Sequence, residues 1–198
     1  MNVNLSLYIK INLCFTLLLV LSGCITKLES IKTDTIRVLE EGTGYLFITI
    51  NSNASFRKFA ISGEKYIVLK KPDFYNDVNY YLVPVPAGRY HKKQLGITYG
   101  GEFNFDEDDD ENLWGFEVKP DIISYVGELR IRQQKYRYAS FELINNSSLA
   151  LEYLEEKYPK ILTNRTIEYH GPGADSFFEY ILNATKVKIV KLDEVDVR

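Results

Sequence analysis

The chain is predicted to be mainly β, an antiparallel sandwich of about seven to nine strands with one or two short helices after the main sheet segment. Three observations carry this. From Thr35 to Ile144 the sequence is a series of short segments alternating apolar and polar residues, broken by turn residues. Fifteen Tyr and eleven Phe stand against one Trp and one Met, and half-buried pleated surfaces favour aromatic side chains. Strands interleaved with long helical patterns, the mark of a parallel sheet, are absent from the sequence.

Thr35–Leu39 is the first candidate strand, and Gly44–Asn51 is the clearest. There Leu46, Ile48 and Ile50 share one face, with Tyr45, Phe47 and Thr49 on the other. Phe56–Ser62 and Lys65–Lys70 flank Ser62-Gly63-Glu64 and read as a hairpin. Val78–Pro86 and Arg89–Thr98 flank Val85-Pro86-Ala87-Gly88, which has the Pro and Gly positions of a type I turn. Gly101–Phe105, Leu113–Lys119, Ile122–Arg132 and Lys135–Ile144 continue the alternation, with Leu129, Ile131, Phe141 and Leu143 inward and Arg130 and Arg132 toward water. The period then changes. Leu151, Leu154 and Tyr158 are helically spaced, so a helix is predicted over about 148–158, with Ser147 or Ser148 as its cap and Pro159 as its stop. Ser176-Phe177-Phe178-Glu179 matches a capping box and opens a second helix. Thr185–Leu192, alternating Val and Ile with Lys, reads as a last strand.

The 198 residues suit one domain. Without residues 1–23, which carry Lys10 and no acid, 23 bases face 27 acids, a net charge of −4. That excludes a general nucleic-acid binder and electrostatic docking on anionic lipid. Ile11–Leu21 is an apolar run too short to span a bilayer, which needs about 20 residues, and right for a signal-peptide core. The small residues Ser22 and Gly23 follow it, then Cys24. Leu21-Ser22-Gly23-Cys24 resembles the lipobox of bacterial lipoproteins. The resemblance implies cleavage between Gly23 and Cys24, a diacylglycerol on the Cys24 thiol and acylation of the new amine, with palmitate as a typical chain. Cys14 leaves with the signal, so Cys24 becomes the mature chain's one cysteine, with no disulfide or cysteine-metal role. Ile25, where Asp favours inner-membrane retention in enteric lipoproteins, points to the periplasmic face of the outer membrane. Residues 1–23 are thus a signal peptide, 24–34 a lipidated cysteine and polar tether, and 35–198 a single domain. The tether reaches at most about 35 Å, which keeps the domain near the membrane.

The segments Gly44–Ile50, Tyr80–His91 and Phe116–Ile131, with Pro86-Ala87-Gly88-Arg89-Tyr90 and Tyr125-Val126-Gly127-Glu128-Leu129 as local marks, are similar to a group of bacterial lipoproteins. Their domains are small β-sandwiches of the transthyretin or carboxypeptidase-regulatory type. The resemblance spans about residues 42–160 and implies a fold; it brings no catalytic residues.

The chemistry-bearing inventory is small. His91 sits in a predicted strand before Lys92-Lys93 and reads as a surface residue; His170 sits in the loop Tyr169-His170-Gly171-Pro172-Gly173, with Asp175 five residues on as a potential partner. No serine lies in a nucleophile-elbow pattern and no HExxH spacing exists. Asp106, Asp108 and Asp110, within the run Asp106–Glu111, offer oxygens to Ca²⁺, yet the run lacks the Gly and terminal Glu of an EF-hand and reads as a solvated loop. Tyr45, Tyr80-Tyr81 and Tyr136-Arg137-Tyr138 fit sheet packing better than an exposed surface for glycan or protein contact. The expectation is a lipid-anchored, non-enzymatic envelope protein that binds or scaffolds a partner, without cofactor or nucleic acid. The alternatives are an envelope hydrolase using His170 and Asp175, and an immunity-like inhibitor of a secreted enzyme or toxin.

Overall fold

The computed structural model describes residues 26–69, 77–105, 113–135 and 138–183. Cys24, the acidic run, Tyr136, Arg137 and the expected strand Thr185–Leu192 lie outside them. Two β-sheets face each other. The first runs β1 (Thr26–Leu28), β4 (Ile67–Leu69), β3 (Phe56–Gly63), β6 (Gly88–Ile97), and β6 then pairs with both β7 (Gly101–Asn104) and β8 (Gly115–Val118). The second runs β10 (Tyr138–Ile144), β9 (Ile123–Lys135), β2 (Thr43–Ser52), β5 (Val78–Pro86), with β11 (Ile167–Tyr169) also on β9. Three of these eleven strands, β1, β4 and β11, have only three residues, which leaves eight longer ones.

Between the sheets lies the main core, where Leu46, Ile48 and Ile50 of β2 meet Phe59, Ile61, Val83, Leu95, Leu129 and Ile131. The other face of β2 is also apolar, and it too is covered. Helices α1 (Ser147–Lys157) and α2 (Pro159–Asn164), with a third, α3, over 177–183, form a layer on the second sheet. Ala150, Leu154, Tyr158, Ile161 and Phe178 pack there against Tyr45, Phe47 and Tyr125. Of the tyrosines expected in sheet packing, Tyr45 and Tyr80 belong to this layer, where Tyr80 stacks on Tyr153 with centroids 3.9 Å apart; Tyr81 is buried in the core between the sheets and Tyr138 is exposed.

Pairing is mostly antiparallel, yet β2–β9, β9–β11 and β1–β4 run parallel. For β2–β9 the cause is the turn at Ala87. It is no hairpin: β5 belongs to the second sheet and β6 to the first, so the chain changes sheets there. The chain builds β6, β7 and β8 and returns through Lys119–Ile122 at the end where β2 begins, so β9 must run alongside β2 in the same direction. The return is tight. A Cβ on Gly44 would lie 2.0 Å from the Lys119 carbonyl oxygen.

Several local expectations need correction. Thr35–Leu39 joins no sheet; its Leu39 turns into the helix-layer core and the Arg37 carbonyl accepts from Arg165 instead of a strand. Residues 26–34 are not a free tether. After β1, Ile31 N–H donates to Leu82 O at 2.9 Å, Tyr158 OH donates to Ile31 O, and Asp34 accepts from the N–H groups of Lys160 and Ile161 at the start of α2. The cap of α1 is Asn146, left-handed at φ 50°, rather than Ser147 or Ser148; Ser147 N–H donates to Asn145 Oδ1 at 2.9 Å, and its hydroxyl is turned inward to Asp175. Pro159 ends α1 and also opens α2, because a proline at the first helical position loses no hydrogen bond. At α3 the side-chain acceptor is Asp175, which takes the Phe177 N–H at 2.9 Å.

Candidate functional site

Strand alternation builds the site. On β6, Tyr90 and Lys92 point into the core, while Arg89 and His91 face outward. On β8, Phe116 and Val118 point in, and Gly115 and Glu117 face out. Cross-strand register then makes two rows on the outer surface: Ser62, His91 and Gly115 lie side by side, as do Arg89 and Glu117. The small neighbours of His91 leave a trough. The loop after β11 brings Tyr169, His170 and Gly171–Gly173 to its rim, and the result is an open cleft of about 1090 Å³. The two histidines of the chain, 79 residues apart in sequence, thus line one cleft.

Their hydrogen bonds orient the rings. His91 Nε2 lies 3.1 Å from Phe105 O. A carbonyl only accepts, so Nε2 is the donor of this bond. His170 Nε2 lies 3.0 Å from Glu168 Oε2, and the carboxylate accepts its hydrogen. Glu168 also accepts from Lys119 Nζ at 2.8 Å. That bond, ahead of the one from His170, holds the Glu168 carboxyl below its usual range and raises the Lys119 ammonium. Burial first, then the charge of Asp175, pushes the Tyr169 hydroxyl up to about 12. It therefore stays neutral, donating to Pro172 O at 2.8 Å and bracing the glycine-rich rim.

The cleft contains what binding needs: a cation at Arg89, an anion at Glu117, imidazoles and a braced loop. Among the described residues no nucleophile is assembled in it. Ser62 Oγ has no hydrogen bond to either histidine among the described residues. His170 and Asp175 do not pair: His170 is held by Glu168, while Asp175 accepts from Ser147 and from Phe177 N–H. The dyad required by the hydrolase alternative is therefore not formed. No group of three His, Cys, Asp or Glu side chains converges on a metal-sized space among the described residues. Cys24, Gly23, Asp106, Asp108 and Asp110 fall outside those residues.

Two further features had little signal in the sequence. Glu128 is buried and accepts from Asn51 Nδ2 at 3.0 Å, Asn146 Nδ2 at 2.6 Å and Arg130 Nε at 3.2 Å. This network ties β2 and β9 to the start of α1. Lys92 is wholly buried with its Nζ unpartnered, 4.7 Å from the centroid of the Phe116 ring. Burial lowers its amine to about 7.

No protein-family model, curated protein or solved structure matches the chain. Its function is therefore argued from its own residues.

Proposed function

We propose that the protein is a lipid-anchored, non-enzymatic binding protein of the cell envelope, attached through Cys24 and holding its partner at the cleft of Arg89, His91, Glu117 and His170. The observation that carries the binding role is the cleft itself. It gathers both histidines with a cation and an anion in the open, and each imidazole is fixed by a structural acceptor rather than aimed at a nucleophile. The anchor rests on Leu21-Ser22-Gly23-Cys24 behind an apolar run of signal-peptide length. Two or three acyl chains on one cysteine hold firmly where one chain is marginal. Ile25 favours the outer membrane's periplasmic face.

The anchor is tested by mass spectrometry and membrane partition of the wild type and Cys24→Ser. Lipid mass and flotation should both vanish in the variant; a Cys24→Ser protein that still carries lipid defeats the assignment. The binding role is tested with a photo-crosslinking residue at Glu117 and, as control, at exposed Lys157. A discrete adduct should form from 117 only, and Arg89→Glu should abolish it. Histidine-dependent turnover on a hydrolase substrate panel, lost in His170→Ala, overturns the non-enzymatic reading.

A further inference from the structure

The segment Thr35–Leu39 has the composition of a strand and none of its pairing. Leu39 packs inward, whereas Ile36 is 61% exposed and Val38 is 100% exposed. These two aliphatics, two residues apart, both face solvent and form one apolar edge. Its place is fixed by Arg165, which donates to Arg37 O at 3.0 Å and to Asp121 Oδ1 at 2.7 Å. The edge therefore lies beside the Lys119–Ile122 turn, at the end of the sandwich that also carries the Ala87 crossing and the turn between β3 and β4.

Strand direction shows that the chain enters from this same end. β1 runs parallel to β4, with Thr26 opposite Ile67, and β4 has just left the turn that follows Gly63. Thr26 therefore lies toward that end of the first sheet. Cys24 is two residues upstream, at most about 7 Å of chain.

We propose that this end of the domain docks on the bilayer surface, with Ile36 and Val38 seated in the lipid interface. The inference rests on the reading of Cys24 as the anchor. The occupant is lipid rather than a partner strand because the acylated cysteine holds this end within a few residues of the membrane. The contact is apolar: a mature chain of net charge −4 gains nothing from anionic headgroups, while two aliphatic side chains add buried carbon to the acyl anchor. Docking also sets orientation. Gly63 and Arg89, walls of the cleft near the same end, come to lie alongside the membrane.

The test uses the full lipidated protein in vesicles of phosphatidylethanolamine and phosphatidylglycerol, and in vesicles of phosphatidylcholine alone. Acylation consumes the Cys24 thiol, so Val38→Cys supplies the single thiol for an environment-sensitive NBD label. Tyr99→Cys, at a position 76% exposed in the β6–β7 turn at the opposite end, is the control. The label at 38 should shift to the blue, brighten several-fold and be quenched by spin-labelled lipid in both vesicle types, while the label at 99 stays aqueous. Adding Ile36→Asp should return the label at 38 to an aqueous spectrum. An aqueous label at 38 on a protein that floats with vesicles overturns the docking and leaves the anchor standing. A shift that survives Ile36→Asp overturns the role of this pair. A protein that neither floats nor carries lipid at Cys24 overturns both readings.

Discussion

Lys92→Met should stabilise the domain, and the stabilisation should fade as pH rises. Lys92 sits inside the sandwich with its amine unpartnered. The face of Phe116 is its one polarised neighbour among the described residues, and a cation–π contact contributes at most about 2 kcal/mol. Burial lowers the amine from 10.5 to about 7. At about 1.4 kcal/mol per pH unit, that gap corresponds to a cost of about 5 kcal/mol. It is an upper figure, since local opening that lets water reach the ammonium limits the penalty.

The sign follows from proton counts. Between pH 7 and 10.5 the unfolded chain keeps the Lys92 proton and the folded one releases it, so stability rises with pH across that window and is flat below it. Tyr81, Tyr125 and Tyr153 act oppositely above about pH 10, because burial raises each of them and only the unfolded chain then ionises. The difference between wild type and Lys92→Met cancels the tyrosine contribution. Urea unfolding at pH 7 should favour the Met variant by several kcal/mol. By about pH 9 its advantage should shrink by about 2 kcal/mol, or about 1 M in the midpoint difference. Parallel stability curves over this range, or a destabilised Met variant, would refute a buried, unpaired amine at Lys92.

Other perturbations read other parts of the fold. Leu154→Ala empties a fully buried position under the helix layer and should cost about 2–5 kcal/mol in urea unfolding. Asp34→Ala removes the acceptor for the first N–H groups of α2; it should cost about 1 kcal/mol and speed amide exchange at Lys160 and Ile161. Gly44→Ala drives a methyl against the Lys119 carbonyl and should cost about 3 kcal/mol, visible as a lowered thermal midpoint.

Legibility in the sequence depended on what kind of group holds each element. β2 was legible because both of its faces are apolar, and the structure covers both. The sheet change at Ala87 was not, because Pro and Gly specify a turn without specifying which sheet receives the next strand. Residues 26–34 read as a tether because their hold is through backbone and capping groups, such as Ile31 N–H on Leu82 O and Asp34 on α2. Such contacts leave no hydrophobic period. The His170–Asp175 pairing failed because both were read as parts of one loop, whereas the strand β11 runs up to Tyr169 and brings Glu168, two residues before His170, to the same side.

The position of His91 in the cleft depends on one irregularity that composition conceals. Counting back by twos from the buried Leu95 and Ile97 assigns Lys93 and His91 to the core. Counting forward from the buried Tyr90 assigns Lys92 instead. The strand resolves the conflict with a bulge: Ala60 pairs with Gln94 but Ile61 pairs with Lys92, so Lys93 is the extra residue. An inserted residue switches the facing of everything beyond it. Here it lets Leu95 and Ile97 pack inward while His91 stays on the outer face beside Ser62 and Gly115. The same switch turns Lys92 into the core. The solvent-facing imidazole and the buried amine are therefore consequences of one bulge, and the amine's desolvation is a cost of the arrangement that puts His91 in the cleft.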